Sequence, residues 1–300
     1  MISTTKYPDI QIGQNMMECT SHGNYEFPFV IYLDDLREKV MGFVNWHWHK
    51  ELQLCYVTEG TVSFFVNSKQ YDISEGGGIF INQGCLHMIK PKNPPLGTFI
   101  CYDFNEKLLS VFPGSVFETK YVTPYKKALD FEAVPLSPHI EWQNEVLVHL
   151  ITIYQLAQEH TFGFEYSIQS ELTKLWLIMI QNNKGDGSKK HHPSNHASVV
   201  HSIIQYIQNH YTEKITIQDI SAIVMFSESE CCRIFKSFLH ETISSYIKTY
   251  RIYMSTELLK NSEKPLDIIA EETGFCSTSY YIKSFKEVMQ ITPNQFRKQL

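Results

Sequence analysis

Residues 264–297 read KPLDIIAEETGFCSTSYYIKSFKEVMQITPNQFR, and this stretch parses as two short helices around a tight turn. Pro265 suits a first helical position, Ile268, Ile269 and Ala270 supply an apolar stripe, and Gly274 supplies the left-handed residue that closes a helix near Thr273. Ser277 then offers an N-cap for a second helix that runs to about Met289, and Pro293 prevents simple continuation. On a wheel of 3.6 residues per turn, Tyr281, Phe285, Val288 and Met289 fall together, while Ser279, Lys283 and Lys286 fall on the other side. One face packs and the other is polar and cationic, the layout of a helix-turn-helix whose second helix enters a DNA major groove.

Residues 216–239, TIQDISAIVMFSESECCRIFKSFL, repeat the plan. Ile217 and Ile220 are core positions, Ser227 is the N-cap, Phe235, Phe238 and Leu239 form a packing face, and Ser229, Arg233 and Lys236 lie outside. Superposing Phe235-Lys236 on Phe285-Lys286 brings Ser227 onto Ser277, Ser229 onto Ser279 and Arg233 onto Lys283. An internal repeat of this kind argues for one supersecondary unit used twice. Between the copies, Ile243, Ile247, Tyr250, Met254 and Leu258 follow the stripe of a connecting helix.

These residues carry a family resemblance. The last hundred or so residues resemble the AraC/XylS transcription regulators in Ile269-Ala270, Gly274-Phe275, Ser277, Phe285-Lys286, Thr292-Pro293 and Phe296-Arg297, and in Tyr250-Arg251 and Leu258-Leu259 of the linker helix. Ser255 stands where the family usually has Ala. The resemblance implies a sequence-specific DNA-binding regulator, most often an activator, that works as a homodimer on double-stranded DNA and, as an activator, with RNA polymerase. Ser229, Glu230 and Arg233 of the first unit and Thr278, Ser279 and Lys283 of the second would then read bases, with Lys236, Lys248 and Lys286 holding phosphates.

The whole chain bounds this reading. Its 300 residues, 43% hydrophobic and 13% aromatic, suffice for two domains with separate cores. No basic amino-terminal segment leads into an apolar run and no stretch is long enough to span a bilayer, so a cytoplasmic protein without membrane association is expected. Seven scattered cysteines without a Cys-x-x-Cys pair read as reduced thiols. The net charge of −6 works against phosphate binding, so cation placement, and a dimer, must compensate.

Upstream, β signals dominate residues 46–91, in the runs WHWHKELQLCYVTEG, TVSFFVNSKQYDISEGGG and IFINQGCLHMIKP, separated by Gly, Asn and Ser turns. No helical stripe appears before Pro135. The spacing of Gly42, His47-x-His49, Gly60, Gly77, Gly84 and His87 resembles a cupin, the double-stranded β-barrel found at the amino terminus of many AraC-type regulators. Gln53 occupies the usual Glu position and Gln83 the usual Pro position. The expected fold is thus α+β and multidomain: a cupin barrel with following helices, then an all-α domain with two helix-turn-helix units.

Strand parity turns His47 and His49 to one side, where with Gln53 and His87 they are the expected effector contacts. Trp46 and Trp48 have the opposite parity and should pack outside. Three histidines suit a transition metal, but Gln53 lacks the carboxylate's charge, so neither metal nor other cofactor is expected. The resemblance favours a sugar as effector. The alternative is a metal-dependent cupin enzyme using His47, His49 and His87, fused to a DNA-binding domain. The expected domains are residues 1–135 for the barrel and its arm, 136–182 for a dimerising helical pair, 183–196 for a polar linker holding His191 and His192, and 197–300 for DNA binding.

Overall fold

The computed structural model describes residues 10–13, 16–182 and 196–299. The chain divides into two compact units, centred on residues 17–182 and 196–299. The expected linker, with His191 and His192, lies outside the described residues except for His196, which opens a helix. Among the described residues no helix is long and apolar enough to cross a membrane.

The first unit is an antiparallel β structure of eight strands: β1 (Phe29–Asp35), β2 (Val44–His47), β3 (Leu52–Val66), β4 (Lys69–Ser74), β5 (Gly78–Ile81), β6 (His87–Pro91), β7 (Gly97–Phe104) and β8 (Ala133–Leu136). One sheet runs β1-β7-β3-β5-β8, and a second joins β4 and β6 to the far half of β3, with β2 on the outer side of β6. Strand β3 serves both sheets. The sequence suggests a turn at Gly60, yet the strand passes through it, because the positive φ of 78° and a register shift between Val57 and Glu59 bend it instead. Leu52–Tyr56 pair with β7 and β5, and Thr61–Val66 pair with β4 and β6.

Alternate residues of these strands separate two cores. Val30, Cys55, Val57, Phe64, Ile79, Ile81, Phe99 and Cys101 fill the space between the sheets. Phe29, Ile31, Leu52, Leu54, Phe80, Tyr102 and Phe104 point the other way, onto helices. With both faces covered, β1, β7 and the two ends of β3 are largely buried on both sides, which obscures a strict alternation in sequence. Short α1 (Lys107–Ser110), a π-helical turn at Phe117–Val122 and α2 (Thr123–Lys126) precede β8 and are too brief to show a periodic stripe.

The outer core is completed by α3 (Glu141–Glu159) and α4 (Phe164–Asn182). Val146, Leu147, Leu150, Ile153 and Ala157 of α3 are buried with Ile168, Leu172, Leu175, Trp176, Met179 and Ile180 of α4. Ile151 faces out beside Val148, and Leu177 is exposed on α4. The helical pair therefore shares a core with the barrel.

The second unit is all helical: α5 (His196–His210), α6 (Ile217–Val224), α7 (Glu228–Leu239), α8 (Ile243–Asn261), α9 (Leu266–Glu272), α10 (Thr278–Met289) and α11 (Pro293–Lys298). The internal repeat extends further than its apolar pattern. Ser227 and Ser277 cap α7 and α10, His240 and Gln290 end them in left-handed conformation, and Thr242 and Thr292 cap the next helices, each pair fifty positions apart. Each cap hydroxyl accepts a backbone N–H three residues on. Pro265 is the N-cap of α9 rather than its first helical residue, and Ile268 is exposed while Ile269 and Ala270 are buried.

Candidate DNA-reading helices and a buried histidine cluster

Helix α7 buries Cys231, Ile234, Phe235, Phe238 and Leu239, and α10 buries Tyr281, Ser284 and Phe285. Geometry then turns Ser229, Arg233 and Lys236 to solvent on α7, and Ser279, Lys283 and Lys286 on α10. Glu230 and Thr278 are half-buried. Lys236, Lys283 and Lys286 carry no ion pair among the described residues. Arg233 does: its Nε donates to Glu230 Oε2 at 2.9 Å and its Nη2 to Glu230 Oε1 at 2.6 Å, a fork on the exposed face. Lys248, half-buried on α8, donates to Glu287 of α10 at 3.1 Å. That bond ties α8 to α10, so Lys248 is engaged in a way that sequence spacing does not reveal.

Helix α8 holds the two helix-turn-helix units together. Arg251 donates from Nε to the Tyr211 carbonyl at 2.7 Å and from Nη2 to the Glu213 carbonyl at 2.6 Å, both ahead of α6. Its guanidinium lies 6.0 Å from the centre of the Phe275 ring in the second unit's turn. Arg297 of α11 donates to the Lys264 carbonyl at 2.6 Å, and Phe296 meets Phe285. Ser255 is fully buried where a methyl group would suffice, and its hydroxyl is satisfied by the Ile252 carbonyl of the same helix at 2.7 Å.

In the first unit, His47, His49, Gln53 and His87 come together in the interior, each at most 4% exposed. Strand pairing explains the convergence. A bulge between Val44 and His47 sets His47 directly opposite His87, and Gln53 lies between Ile81 and Asp103 in register. The His47 and His87 rings are 4.0 Å apart, and His49 meets His87 edge-on at 5.0 Å. Trp46 is buried against Phe65 on the opposite parity, while Trp48 is half-buried.

Three further ionisable residues join this cluster that spacing alone does not suggest. The Glu18 N–H donates to the Trp48 carbonyl at 2.9 Å, which sets the Glu18 carboxylate 3.7 Å from His47 Nε2 and 3.4 Å from His22 Nε2. On its other side His22 Nδ1 lies 3.4 Å from Asp103. Burial disfavours the charged form of His22, but Asp103 and Glu18 outweigh it and raise the ring to about 9. Burial likewise pushes Glu18 up, yet the His22 hydrogen bond and the neighbouring histidines bring it well below the usual carboxylate range. Burial raises Asp103 to about 7, against the pull of His22. His47, His49 and His87 are all lowered by burial, His49 to about 3, so these rings are neutral at pH 7.

A cleft of about 380 Å³ opens beside the cluster, lined by Trp48, His49, Lys50, Gln83, Gly84, Asn105, Glu106 and Lys126. Of the four expected effector contacts only His49 lines it. The Trp48 indole, two amides and the Lys126–Glu106 pair at 2.5 Å give it aromatic and hydrogen-bonding character.

Two family patterns match the chain: a helix-turn-helix domain over residues 220–299 and an AraC-like ligand binding domain over residues 31–112. Over 297 residues the chain is 32% identical to the uncharacterized HTH-type transcriptional regulator YdeC of Bacillus subtilis (strain 168), covering 96% of this chain and 97% of that one. It is 23% identical over 268 residues to the melibiose operon regulatory protein of Escherichia coli (strain K12), covering 84% of this chain and 83% of that one. Among solved structures, the C-terminal domain of AraT, a response regulator from Geobacillus stearothermophilus, matches with 28% identity and a TM-score of 0.33, covering 34% of this chain and 85% of that one.

Proposed function

Because this chain belongs to the AraC family of DNA-binding transcription regulators that carry a ligand-binding domain, we propose that it is a homodimeric activator whose α7 and α10 read successive major grooves of its operator. The observation that carries this reading is the matched exposure of Ser229, Arg233 and Lys236 with Ser279, Lys283 and Lys286, each set opposite a buried phenylalanine. Arg233 offers a two-pronged donor to guanine, and Lys283 a less directional one. Ser229, Ser279 and the half-buried Thr278 hydrogen-bond near the helix starts, while Lys236 and Lys286 hold phosphates. Glu230 accepts from cytosine or orients Arg233. Lys248 reaches phosphate only by leaving Glu287. The exposed Val148, Ile151 and Leu177 of α3 and α4 supply the apolar part of a dimer contact, and an activator would meet RNA polymerase through the DNA-bound form.

The test separates base reading from charge. Arg233→Ala is expected to cost about 1 to 3 kcal/mol on the preferred operator and to relax base choice at one position. Lys286→Ala is expected to weaken every duplex alike and to lower the salt slope by about one unit. Fluorescence anisotropy on operator and scrambled duplexes across a salt series measures both. Affinities unchanged in the two variants would remove α7 and α10 from the interface.

The effector is proposed to be a small carbohydrate bound in the cleft beside His49. Trp48 offers an aromatic ring to a sugar, and Gln83, Asn105, Glu106 and Lys126 supply donors and acceptors. The similarity to the melibiose operon regulatory protein, over 84% of this chain, supports the sugar class. A thermal-shift screen of sugars should give a hit that raises the unfolding temperature of the protein and is lost in Trp48→Ala. Hits confined to non-carbohydrate metabolites would replace the sugar.

A further inference from the structure

We infer that residues 111–117, the loop between α1 and the π-helical turn, dock on the α3–α4 corner of a second copy of this chain, whose own loop docks on this corner in return. The contact rests on the homodimer reading and extends it. Val148, Ile151 and Leu177, three partly exposed aliphatic side chains, cover only a small part of the about 800 Å² that each partner of a stable interface buries. Further apolar surface is needed.

The loop supplies it. Val111, Phe112 and Val116 are each more than half exposed, and Phe117 nearly so. The backbone is strained where it turns them outward. Val111 sits at φ 65° and ψ −61°, and the Phe112 N–H donates to the Ser110 carbonyl at 2.8 Å, closing a γ-turn of the rare, unfavourable hand. A β-branched residue is an outlier in that region. Buried hydroxyls hold it there: Ser115 donates from Oγ to the same Ser110 carbonyl and accepts the Glu118 N–H at 3.1 Å, while Ser110 donates to the Glu106 carbonyl at 3.0 Å. Strain braced in this way marks a working surface rather than a slack connection.

The corner is a second apolar projection. Between α3 and α4, Phe162 stands fully exposed, and Tyr166 is 80% exposed. Gln169, one turn beyond Tyr166, donates from Nε2 to the Leu108 carbonyl of α1 at 3.1 Å, so loop and corner border each other on one protomer. An aromatic side chain loses about 150 to 250 Å² when fully covered, so these four rings and two valines offer on the order of 700 Å². With the helix face, that reaches the size of a stable interface.

Charge selects the occupant. Lys107 and Lys120 bracket the loop, exposed and without a carboxylate partner among the described residues; Lys107 lies over the Tyr25 ring and Lys120 over the Tyr121 ring. Glu118, the acid of the same stretch, is engaged by the Gly114 N–H. Glu159 and Glu165 bracket the corner, likewise exposed and without a cationic partner among the described residues. An acidic partner would be repelled by these glutamates, and a basic one by the lysines. The same surface turned about a two-fold axis sets loop lysines against corner glutamates twice, which is the self-complementarity of an isologous dimer.

The experiment is sedimentation velocity of the full chain across a dilution series, without DNA, with circular dichroism as the check on folding. Phe112→Ser with Phe117→Ser should weaken self-association at least ~30-fold. Lys107→Glu with Lys120→Glu makes both edges acidic, and Glu159→Lys with Glu165→Lys makes both basic. Each should weaken self-association at least ~10-fold, and an equimolar mixture of the two should dimerise again as a mixed pair. No recovery in the mixture, or wild-type association in the phenylalanine variant, would overturn the contact. Dimer loss confined to Val148→Asp with Ile151→Asp, with the loop and corner variants unchanged, would overturn it too and leave the homodimer standing. A wild-type chain that stays monomeric at every concentration would overturn the homodimer itself, and this contact with it.

Discussion

Gly274→Ala is expected to destabilise the helical unit by about 3 kcal/mol and to abolish operator binding near its unfolding midpoint. Gly274 has φ +78°, a region that costs an ordinary residue about 1 to 2 kcal/mol. Space is the larger obstacle. An added Cβ would lie 2.3 Å from the Tyr211 carbonyl oxygen and 3.0 Å from both Nε and Nη2 of Arg251. The carbonyl is the acceptor of the Arg251 bond, so the methyl group would push apart a charge-assisted pair worth about 1.5 to 3 kcal/mol. Gly42→Ala is the control: φ is +71° there, but nothing lies within 4 Å of the added carbon. Urea unfolding, followed on the transition of the unit that each residue occupies, should show about 1 kcal/mol for the control. Equal losses at both positions would mean that crowding at Tyr211 and Arg251 contributes nothing.

Trp176→Ala is expected to remove about 3 to 5 kcal/mol from the first unit. Trp176 is 3% exposed and meets Phe80 of the sheet, Phe131 and Tyr125 in edge-on ring contacts at 5.9, 5.7 and 6.3 Å. Its indole N–H donates to the Tyr121 carbonyl at 2.8 Å. Truncation would leave a cavity at the junction of α4 with the barrel and orphan that carbonyl. Trp176→Phe should recover much of the packing but not the hydrogen bond. Thermal unfolding of the two variants tests whether α4 is structural to the barrel; a loss under about 1 kcal/mol for alanine would mean the helix is merely appended.

The helical half of this fold is legible from local signals. Serine caps and phenylalanines at equal spacing define both helix-turn-helix units, with Gly274 marking the turn of the second and Met225 taking the left-handed position in the first, because a short helix must satisfy its first N–H groups and bury one face. The repeated threonine caps at Thr242 and Thr292 were equally available to such a reading and extend the duplication to the following helices. The barrel is legible in its histidines but less so in its connections. Gly60 resembles a turn residue, yet pairing on both sides carries the strand through it as a bend. Around the histidine cluster, His47, His49 and His87 follow strand parity, whereas Glu18 and His22 belong to a segment with no period. Their arrival depends on isolated backbone pairing of the segment with Trp48 and with residues 11–12, which no spacing rule anticipates. Asp103 was hidden for a different reason: one face of its strand lines the barrel and the other lies under helices, so its burial is not marked by alternation.

The bond from Glu230 to Arg233 bears on how such a protein would search DNA. An arginine held by a carboxylate is not an open hand for any passing phosphate, and contact with arbitrary duplex must first displace an acceptor already in place. Guanine, which presents two acceptors side by side, can repay that exchange, whereas a lone phosphate oxygen on unrelated sequence gains less and meets the repulsion of Glu230 as well. If α7 reads bases as proposed, it would thereby favour brief visits to the wrong sites and long residence at the right one.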